Sequence, residues 1–306
     1  MKMIRLFLFF TIAIFMGACS EDSLDSQSIF STTSPDRNEF DNWLMKKYVT
    51  PYNIAFNYEY DDKESDNNYN LVPAEYDKSI ALAIMMKHIW MDTYTELAGE
   101  DFVKSYCPRV MQLIGSSAYN SKGEVVQGTA EGGLKITLYN VNIIDIDNPL
   151  IDVESPFWDP KNPATIKDLN NWFFHTMHHE FGHILQQKKN YPTDFNLISV
   201  ADYKAGDWVN VDGEDAPSLG FVSSYASMEA NEDFVEVLAA YITHSPAGWQ
   251  NILDLANDNG KEKILAKLEI VKDYMKGSWQ IDIDQLRDIF LRRVAEVHSL
   301  DLRTLN

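Results

Sequence analysis

Two histidines and a glutamate stand close together in the motif His179-Glu180-Phe181-Gly182-His183. Residues four apart on an α-helix differ by roughly 40° around the axis and about 6 Å along it, so His179 and His183 present their imidazoles side by side. Two neutral imidazoles at that spacing can bind one cation, and Glu180 beside them is a candidate general base. The motif therefore predicts a zinc site with an open coordination position, as catalysis requires.

The side of this helix opposite to the two histidines is apolar. Its members are Phe174, Met177, Phe181, Ile184 and Leu185. Such a division predicts that the apolar side anchors the helix and that the polar side faces a cleft. Two histidines that merely cap a solvated helix face are the alternative, and acids farther along the chain favour the metal site.

Two further histidines precede the motif. His175 lies one turn earlier on the same face, but its rise along the helix places it about 12 Å from His183, too far for the two to share one ion. His178 points to the flank of the helix. We expect both to be polar-face residues that support the metal ligands or hydrogen-bond to substrate, rather than metal ligands themselves.

A catalytic zinc needs a third protein ligand, and a later segment offers two acids. Every residue from Phe234 to Ile242 except Glu236 is apolar, so this predicted helix is buried nearly all round and a carboxylate on it needs a partner. Glu232 and Glu236 are four residues apart and share a face. One can bind the metal while the other accepts a hydrogen bond from the far nitrogen of a ligand histidine. A solvated position suits Glu229 better.

These segments resemble a known clan of peptidases. The motif His179-Glu180-Phe181-Gly182-His183, followed 49 residues later by Glu232-Asp233-Phe234-Val235-Glu236, is similar to the gluzincin clan, and particularly to lethal-factor-type peptidase domains. The resemblance implies that Glu232 is the third zinc ligand and that Glu236 supports the ligands without binding the metal. It also implies that Tyr225, seven residues before the ligand acid, donates to the oxyanion that develops during hydrolysis.

The first residues predict an export signal. Two basic residues are followed by an apolar run over residues 6–16 and by Gly17-Ala18-Cys19. A transmembrane anchor is the alternative, but a span needs roughly 20 apolar residues. The layout resembles a bacterial lipobox, which implies that residues 1–18 are removed and that Cys19 is lipidated, with a plain cleaved signal as the alternative. Residues 19–35 are predicted to be a polar, acidic tether.

Signal, Cys19, tether and motifs together resemble one family of Bacteroidota lipoproteins, the zinc-binding metallopeptidases described as substrate-import-associated zinc metallohydrolases. The resemblance covers essentially the whole mature chain, although only residues 170–245 carry diagnostic motifs. It implies one catalytic Zn2+ and a peptide or protein substrate. It also implies an outer-membrane lipoprotein that faces the cell exterior (a periplasm-facing one is the alternative), with a TonB-dependent importer and its lipoprotein as partners.

Two other functions stay open at this point. One is a surface lipoprotein that keeps zinc but binds peptides without turnover, against which Glu180 and Tyr225 argue, since capture needs neither. The other is a metallohydrolase that acts on a non-peptide amide with the same zinc chemistry.

The remaining pattern predicts an α+β fold, because strands precede the motif helix and helices follow it. The resemblance implies that residues 36–306 form a single zincin-like domain with a small mixed sheet. Predicted helices cover residues 36–49, 74–94, 165–187, 228–243, 246–257, 261–276 and 283–298, and predicted strands cover residues 53–60, 109–117 and 133–142.

Two regions of this fold are expected to meet substrate. In the strand 133–142, Leu134, Ile136 and Leu138 share one face, and a peptide is expected to lie along this strand if it is at the edge of the sheet. The segment 188–224 is too long for a simple connection and is expected to shape the cleft, with Trp208 and Asp194 as candidate contacts.

Charge and cysteine content argue against a nucleic-acid-binding protein and against an internal disulfide. The formal net charge is −20, and loss of the two basic residues of the signal makes it −22. Such a chain repels phosphate backbones, which disfavours nucleic-acid binding. With Cys19 lipidated, Cys107 is the single remaining thiol, so no internal disulfide can form, and Cys107 is expected to be buried.

Overall fold

The computed structural model describes residues 36–63, 65–66, 68–119, 125–126, 128–131, 133–156 and 165–306. The predicted signal, the lipidation of Cys19 and the tether up to residue 35 lie outside the described residues and remain predictions. The chain divides into two compact units, Met1–Asn38 and Glu39–Asn306, and the second contains all the elements below. Within the described part of the chain, no helix is both long and apolar enough to cross a membrane.

Short strands precede the motif helix and longer helices follow it, so the α+β prediction is confirmed. Each predicted helix has a counterpart in the structure, with ends displaced by a few residues. The helices are α1 (39–52, with π-helical Met45–Val49), α2 (76–98, with π-helical Met86–Met91), α3 (Glu100–Tyr106), α4 (170–188, π-helical Asn170–His175 followed by Thr176–Lys188), α5 (Asp194–Ile198), α6 (Ala216–Leu219), α7 (Ala230–Thr243), α8 (Pro246–Leu255), α9 (Asp258–Trp279) and α10 (Ile283–Glu296).

The strands form a four-stranded mixed sheet and a separate two-stranded one. They are β1 (Ala55–Asn57), β2 (Val110–Leu113), β3 (Ala118–Tyr119), β4 (Val125–Val126), β5 (Gly128–Glu131) and β6 (Lys135–Leu138). The larger sheet has the order β1-β2-β6-β5; its first three strands are parallel, and β5 is antiparallel to β6. The smaller sheet pairs β3 with β4.

The expectation that substrate lies along residues 133–142 is wrong, because β6 pairs with β2 on one side and β5 on the other. Among the described residues, the free edges of the larger sheet belong to β1 and β5. Side chains on both faces of β6 are buried, Ile136 and Leu138 on one and Thr137 on the other, whereas Leu134 precedes the strand and is 61% exposed. Alternation along one strand indicates its two faces, but it does not indicate which strands flank it.

One hydrophobic core joins buried residues of this sheet to buried residues of the helices, α7 among them. Every residue of α7 from Asp233 to Thr243 is buried, as the apolar run predicts. Helix α7 packs against α4, α9 and α10. Each large apolar side chain buried in this way stabilises the fold by about 1.5–3 kcal/mol relative to an exposed one. The isolated thiol Cys107 is buried too, as predicted, and burial raises its pKa to about 11.

Helices α4 and α7 cross at Gly182, the glycine of the motif. A Cβ atom at this position would lie 2.8 Å from Cγ1 of Val235 on α7, closer than two side chains can approach. Glycine therefore lets the two helices pack with little between them. Their close approach sets the motif histidines of α4 opposite the acids at the start of α7.

The motif helix α4 begins at Asn170, just after the buried acid Asp168, rather than at Thr165, where its start was predicted. Asp168 accepts hydrogen bonds from the backbone amides of Asp152 at 2.8 Å and Asn170 at 2.9 Å. It also accepts one from the side-chain amide of Asn171. Residues 165–167 form a turn. Burial nevertheless prevails over these donors and raises the pKa of Asp168 to about 6.

Candidate metal centre

Three atoms from α4 and α7 converge on one point. Nε2 of His179 and Nε2 of His183 lie 3.2 Å apart. Oε2 of Glu232 lies 3.1 Å from the first of these nitrogens and 3.2 Å from the second. The four-residue spacing within α4 supplies the imidazole pair, and the start of α7 supplies the carboxylate. Together these three residues form a group that could hold a metal ion.

The dimensions and chemistry of this group suit zinc. Zinc–nitrogen bonds of about 2.0–2.1 Å at tetrahedral angles place neighbouring ligand atoms roughly 3.3 Å apart, close to the separations seen here. Two imidazoles and a carboxylate are also a common donor set for catalytic zinc, which leaves a fourth position to water or substrate. Burial opposes ionisation of Glu232, but hydrogen bonds with His179 and His183 prevail and lower its pKa to about 2, so its oxygens carry the charge that a cation needs.

Glu236 lies behind the candidate ligands, facing the other nitrogen of His179. Its Oε1 is 2.7 Å from Nδ1 of His179 and 3.0 Å from Nε2 of His175, and its Oε2 accepts a hydrogen bond from the hydroxyl of Ser223. Although burial alone would raise the pKa of Glu236, the two histidines hold it well below its usual value. An ionised Glu236 keeps the proton of His179 on Nδ1, which leaves the Nε2 lone pair free to bind a metal.

Glu180 is 9% exposed beside the two motif histidines. Burial raises its pKa, against the opposing influence of His179 and His183. A carboxylate with a raised pKa is a stronger base than an ordinary one, which suits a group that must accept a proton and return it.

Tyr225 lies on a short 3-10 turn, Tyr225–Ser227, that precedes α7. Its ring centroid is 5.8 Å from that of His179. Burial, followed by the charges of Glu232 and Glu236, raises the pKa of Tyr225, so the phenol keeps its proton at neutral pH and can donate it in a hydrogen bond.

The two additional histidines have different surroundings. His175 reaches Glu236, which agrees with the expectation that it supports the ligands. His178 is fully buried, and its Nδ1 lies 2.9 Å from the hydroxyl of Tyr94 on α2. The expectation of a polar-face position for His178 is therefore wrong, because α2 covers that flank. Burial lowers the pKa of His178 to about 3.

The segment 188–224 brings one of its two candidate residues to the site. Trp208 packs edge-on against Tyr225 with ring centroids 4.9 Å apart. Asp194 lies at the exposed start of α5, and within the described part of the chain no hydrogen bond or ion pair joins it to the motif residues. Ser223 was missed in the sequence, since a serine in a Ser-Ser pair carries no signal of its own.

A third acid of α7, Asp233, faces away from the candidate metal site. Asp233 lies 2.6 Å from Nζ of Lys267 on α9, and both side chains are completely buried. The hydroxyl of Tyr203 donates to the same carboxylate at 2.8 Å, and Lys267 also donates to the carbonyl of Gly220 at 2.7 Å. Burial raises the pKa of Asp233 and lowers that of Lys267.

Comparison with known proteins gives two findings. The model of a family described as "Putative zinc-binding metallo-peptidase" matches residues 33–284. A crystal structure described as a putative zinc-binding metallo-peptidase from Bacteroides caccae ATCC 43185 is 39% identical, with a TM-score of 0.71; the match covers 91% of this chain and 100% of that one. No curated protein matches. The family match spans the motif helix, the turn that carries Tyr225 and the whole of α7.

Proposed function

This chain belongs to the family of putative zinc-binding metallo-peptidases, and we propose that it is an active, zinc-dependent peptidase of the gluzincin type. One observation carries the proposal: Nε2 of His179, Nε2 of His183 and Oε2 of Glu232 converge within 3.1–3.2 Å of one another. These three residues would hold a single Zn2+. A structural site would take a fourth protein ligand, whereas three ligands beside a buried Glu180 favour catalysis.

Each nearby side chain has a role in the proposed hydrolysis. Zinc supplies Lewis-acid chemistry, which makes water a stronger nucleophile and polarises the carbonyl of the scissile bond. Glu180 takes the proton of the attacking water and returns it to the leaving amine. The phenol of Tyr225 donates a hydrogen bond to the developing oxyanion, a contribution that is typically worth about 2.7–4 kcal/mol. Glu236 holds His179 in the tautomer that leaves Nε2 free.

The edge strand β5 supports a peptide as the substrate. This strand runs beside α4. A Cβ atom at Gly128 would lie 2.5 Å from Cγ2 of Thr176, which is one turn before His179 on that helix. An extended peptide that pairs with a free strand edge gains main-chain hydrogen bonds without regard to its sequence. A peptide paired with β5 would thus pass along the motif helix, which favours peptide over non-peptide amides.

The proposal is tested by metal content and by one isosteric variant. Protein purified without chelators should contain about one zinc per chain, and wild type should cleave members of a peptide library. Glu180→Gln should keep the metal and lose activity by about 10²–10⁴-fold, the usual contribution of a general base. The exposed Glu229→Gln is the matched control and should keep full activity.

Other results would overturn this function. Protein without a stoichiometric divalent metal contradicts the metal site, and full activity of Glu180→Gln contradicts the assigned base. Saturable peptide binding without cleavage by wild type would show instead a zinc-containing lipoprotein that binds peptides for import.

We further propose that the protein is an outer-membrane lipoprotein held by Cys19 and exposed at the cell surface, where its products would pass to a TonB-dependent importer and its lipoprotein partner. The lipobox-like Cys19 and the acidic tether support this location. Cys19→Ala should release the protein from the membrane fraction, and protease added to intact cells should degrade the wild type. A wild type that is protected from the protease would instead face the periplasm.

A further inference from the structure

An unbroken chain of hydrogen bonds links the metal ligand His179 to the turn that carries Tyr225. Nδ1 of His179 donates to Oε1 of Glu236 at 2.7 Å, and the other oxygen of that carboxylate accepts from the hydroxyl of Ser223. The oxygen of Ser223 in turn accepts from the backbone amide of Ala226 at 3.1 Å. Ala226 directly follows Tyr225. A single hydroxyl therefore joins the carboxylate behind the metal site to the peptide unit beside the tyrosine.

We propose that Ser223 is a positioning residue that couples the orientation of the ligand His179 to the placement of the Tyr225 phenol. The proposal rests on the proposed function, in which Tyr225 acts on the oxyanion. Every donor in the chain has an acceptor when Glu236 is ionised, His179 is protonated on Nδ1 and the hydroxyl of Ser223 points to Glu236. This one arrangement of protons leaves Nε2 of His179 free to bind a metal. It also leaves the oxygen of Ser223 free to accept the hydrogen bond from Ala226.

The turn Tyr225–Ser227 is held by hydrogen bonds on two sides, and Ser223 makes the bond on the side that faces Glu236. On the outer side, the amides of Lys204 and Ala205 donate to the carbonyls of Ser227 and Met228 at 2.7 and 3.0 Å, which clamps the segment that carries Trp208 onto the turn. On the inner side, Ser223 ties the turn to Glu236. Without the Ser223 hydroxyl, the turn would keep its outer clamp and lose its link to the metal site.

Loss of this hydroxyl has two separable consequences. The amide of Ala226 loses its acceptor, so the peptide unit next to Tyr225 is free to rotate, and a displacement of about 1 Å can cost on the order of 100-fold in rate. Glu236 loses one of its three donors, so it holds His179 less firmly, and such outer partners typically contribute about 10–100-fold to metal affinity. A residue that only filled space would produce neither effect.

The test compares Ser223→Ala with Ser223→Thr, which keeps a hydroxyl, and with Ser224→Ala. Ser224 is the matched control because it begins the same turn and, among the described residues, its side chain makes no capping hydrogen bond. Zinc affinity is measured by competition with a chelator, peptidase kinetics on one cleaved peptide, and folding by thermal unfolding. We expect Ser223→Ala to remain folded, bind zinc about tenfold more weakly and, at saturating zinc, lose at least tenfold in kcat with little change in KM. Ser223→Thr should restore both.

A double-mutant cycle with Tyr225→Phe shows whether the kcat effect passes through the phenol. In the Tyr225→Phe background, Ser223→Ala should lower kcat by less than about twofold, because the group that Ser223 positions is already gone. The proposal is overturned if the two kcat losses multiply, or if Ser223→Ala matches Ser224→Ala in zinc affinity and kcat. If no peptide is cleaved by wild type, the proposed function fails and the coupling to catalysis fails with it, while the zinc-affinity comparison still decides whether Ser223 supports His179 through Glu236.

Discussion

The two faces of helix α7 bury acids in different ways. On one face, Glu232 and Glu236 meet histidines of α4, and although burial alone would raise the pKa of both acids, those histidines hold it low. On the other face, Asp233 meets Lys267 and the hydroxyl of Tyr203, yet burial raises the pKa of this acid. Both faces place carboxylates inside the protein, but they differ in the partner that compensates for the lost water.

This difference distinguishes the proposed metal site from a structural ion pair. A histidine can exchange its proton for a metal ion, so the charge of Glu232 stays available to a cation that comes from outside the chain. The ammonium group of Lys267 belongs to the chain itself. Asp233 therefore already has its cation and has no charge to offer to an ion from solution. The same helix can therefore present a metal site on one face and a fixed internal ion pair on the other.

The largest expected effect is the loss of the metal in Glu232→Gln. The amide oxygen carries no charge and is a poorer zinc ligand than a carboxylate. Loss of a residue that only hydrogen-bonds to a metal ligand typically lowers metal affinity by about 10–100-fold, and we expect a larger loss here. Chelator competition measures the loss, and the exposed Glu229→Gln should retain wild-type affinity. Wild-type affinity in Glu232→Gln would mean that this acid is not a ligand and would remove the contrast between the two faces.

The next effect is a loss of stability in Lys267→Met. This change leaves the buried charge of Asp233 without its cation, which typically costs about 3–5 kcal/mol. Lys263→Met, one turn earlier on α9, breaks a partly exposed pair with Asp202 and should cost about 0–1 kcal/mol. Urea unfolding of both variants gives the two values. Equal losses would show that the Asp233 pair behaves as a surface pair.

The smallest effect is a pH dependence that originates at Asp168, a buried acid whose hydrogen-bond donors are amides rather than a cation. Its folded pKa of about 6 lies above the ordinary value of 3.8. Stability from its protonated form is therefore complete below pH 3.8 and disappears as the pH rises to about 6. Asp168→Asn lacks this titration, so wild type should lose about 1.4 kcal/mol per pH unit relative to the variant in that window. The free energy of unfolding of both proteins is measured by urea unfolding at each pH. A difference between them that stays constant from pH 4 to 7 would contradict this prediction.

Local spacing predicted part of the molecule well. The pair of imidazoles follows from the four-residue spacing of His179 and His183, and the buried α7 follows from its apolar run. The choice between Glu232 and Glu236 did not follow from spacing, because both lie on one helix face. The choice of Glu232 came from the resemblance to the gluzincin clan. In the structure, Glu232 faces the Nε2 atoms of the histidines, whereas Glu236 faces Nδ1 of His179.

Features that depend on packing between distant elements were not predictable. The central position of β6 depends on which strands flank it, and alternation along the strand is the same at an edge. His178 looked like a flank residue because nothing in its own helix indicates that α2 covers it. The pairing of Asp233 with Lys267, and the link from Ser223 to Glu236, likewise require the relative placement of whole elements.

The close crossing of α4 and α7 at Gly182 is the point about which these two helices would tilt relative to each other. When two crossed helices rock, the displacement of a residue grows with its distance from the crossing point. Along their helices, His183 lies about 1.5 Å and His179 about 4.5 Å from Gly182, and Glu232 lies about 4.5 Å from Val235, so a tilt of about 5° would move the helix axis at these residues by less than about 0.4 Å. The helix ends have longer lever arms and move more. A rocking of the two helices would therefore displace the backbone at the three proposed ligands less than the backbone at the helix ends.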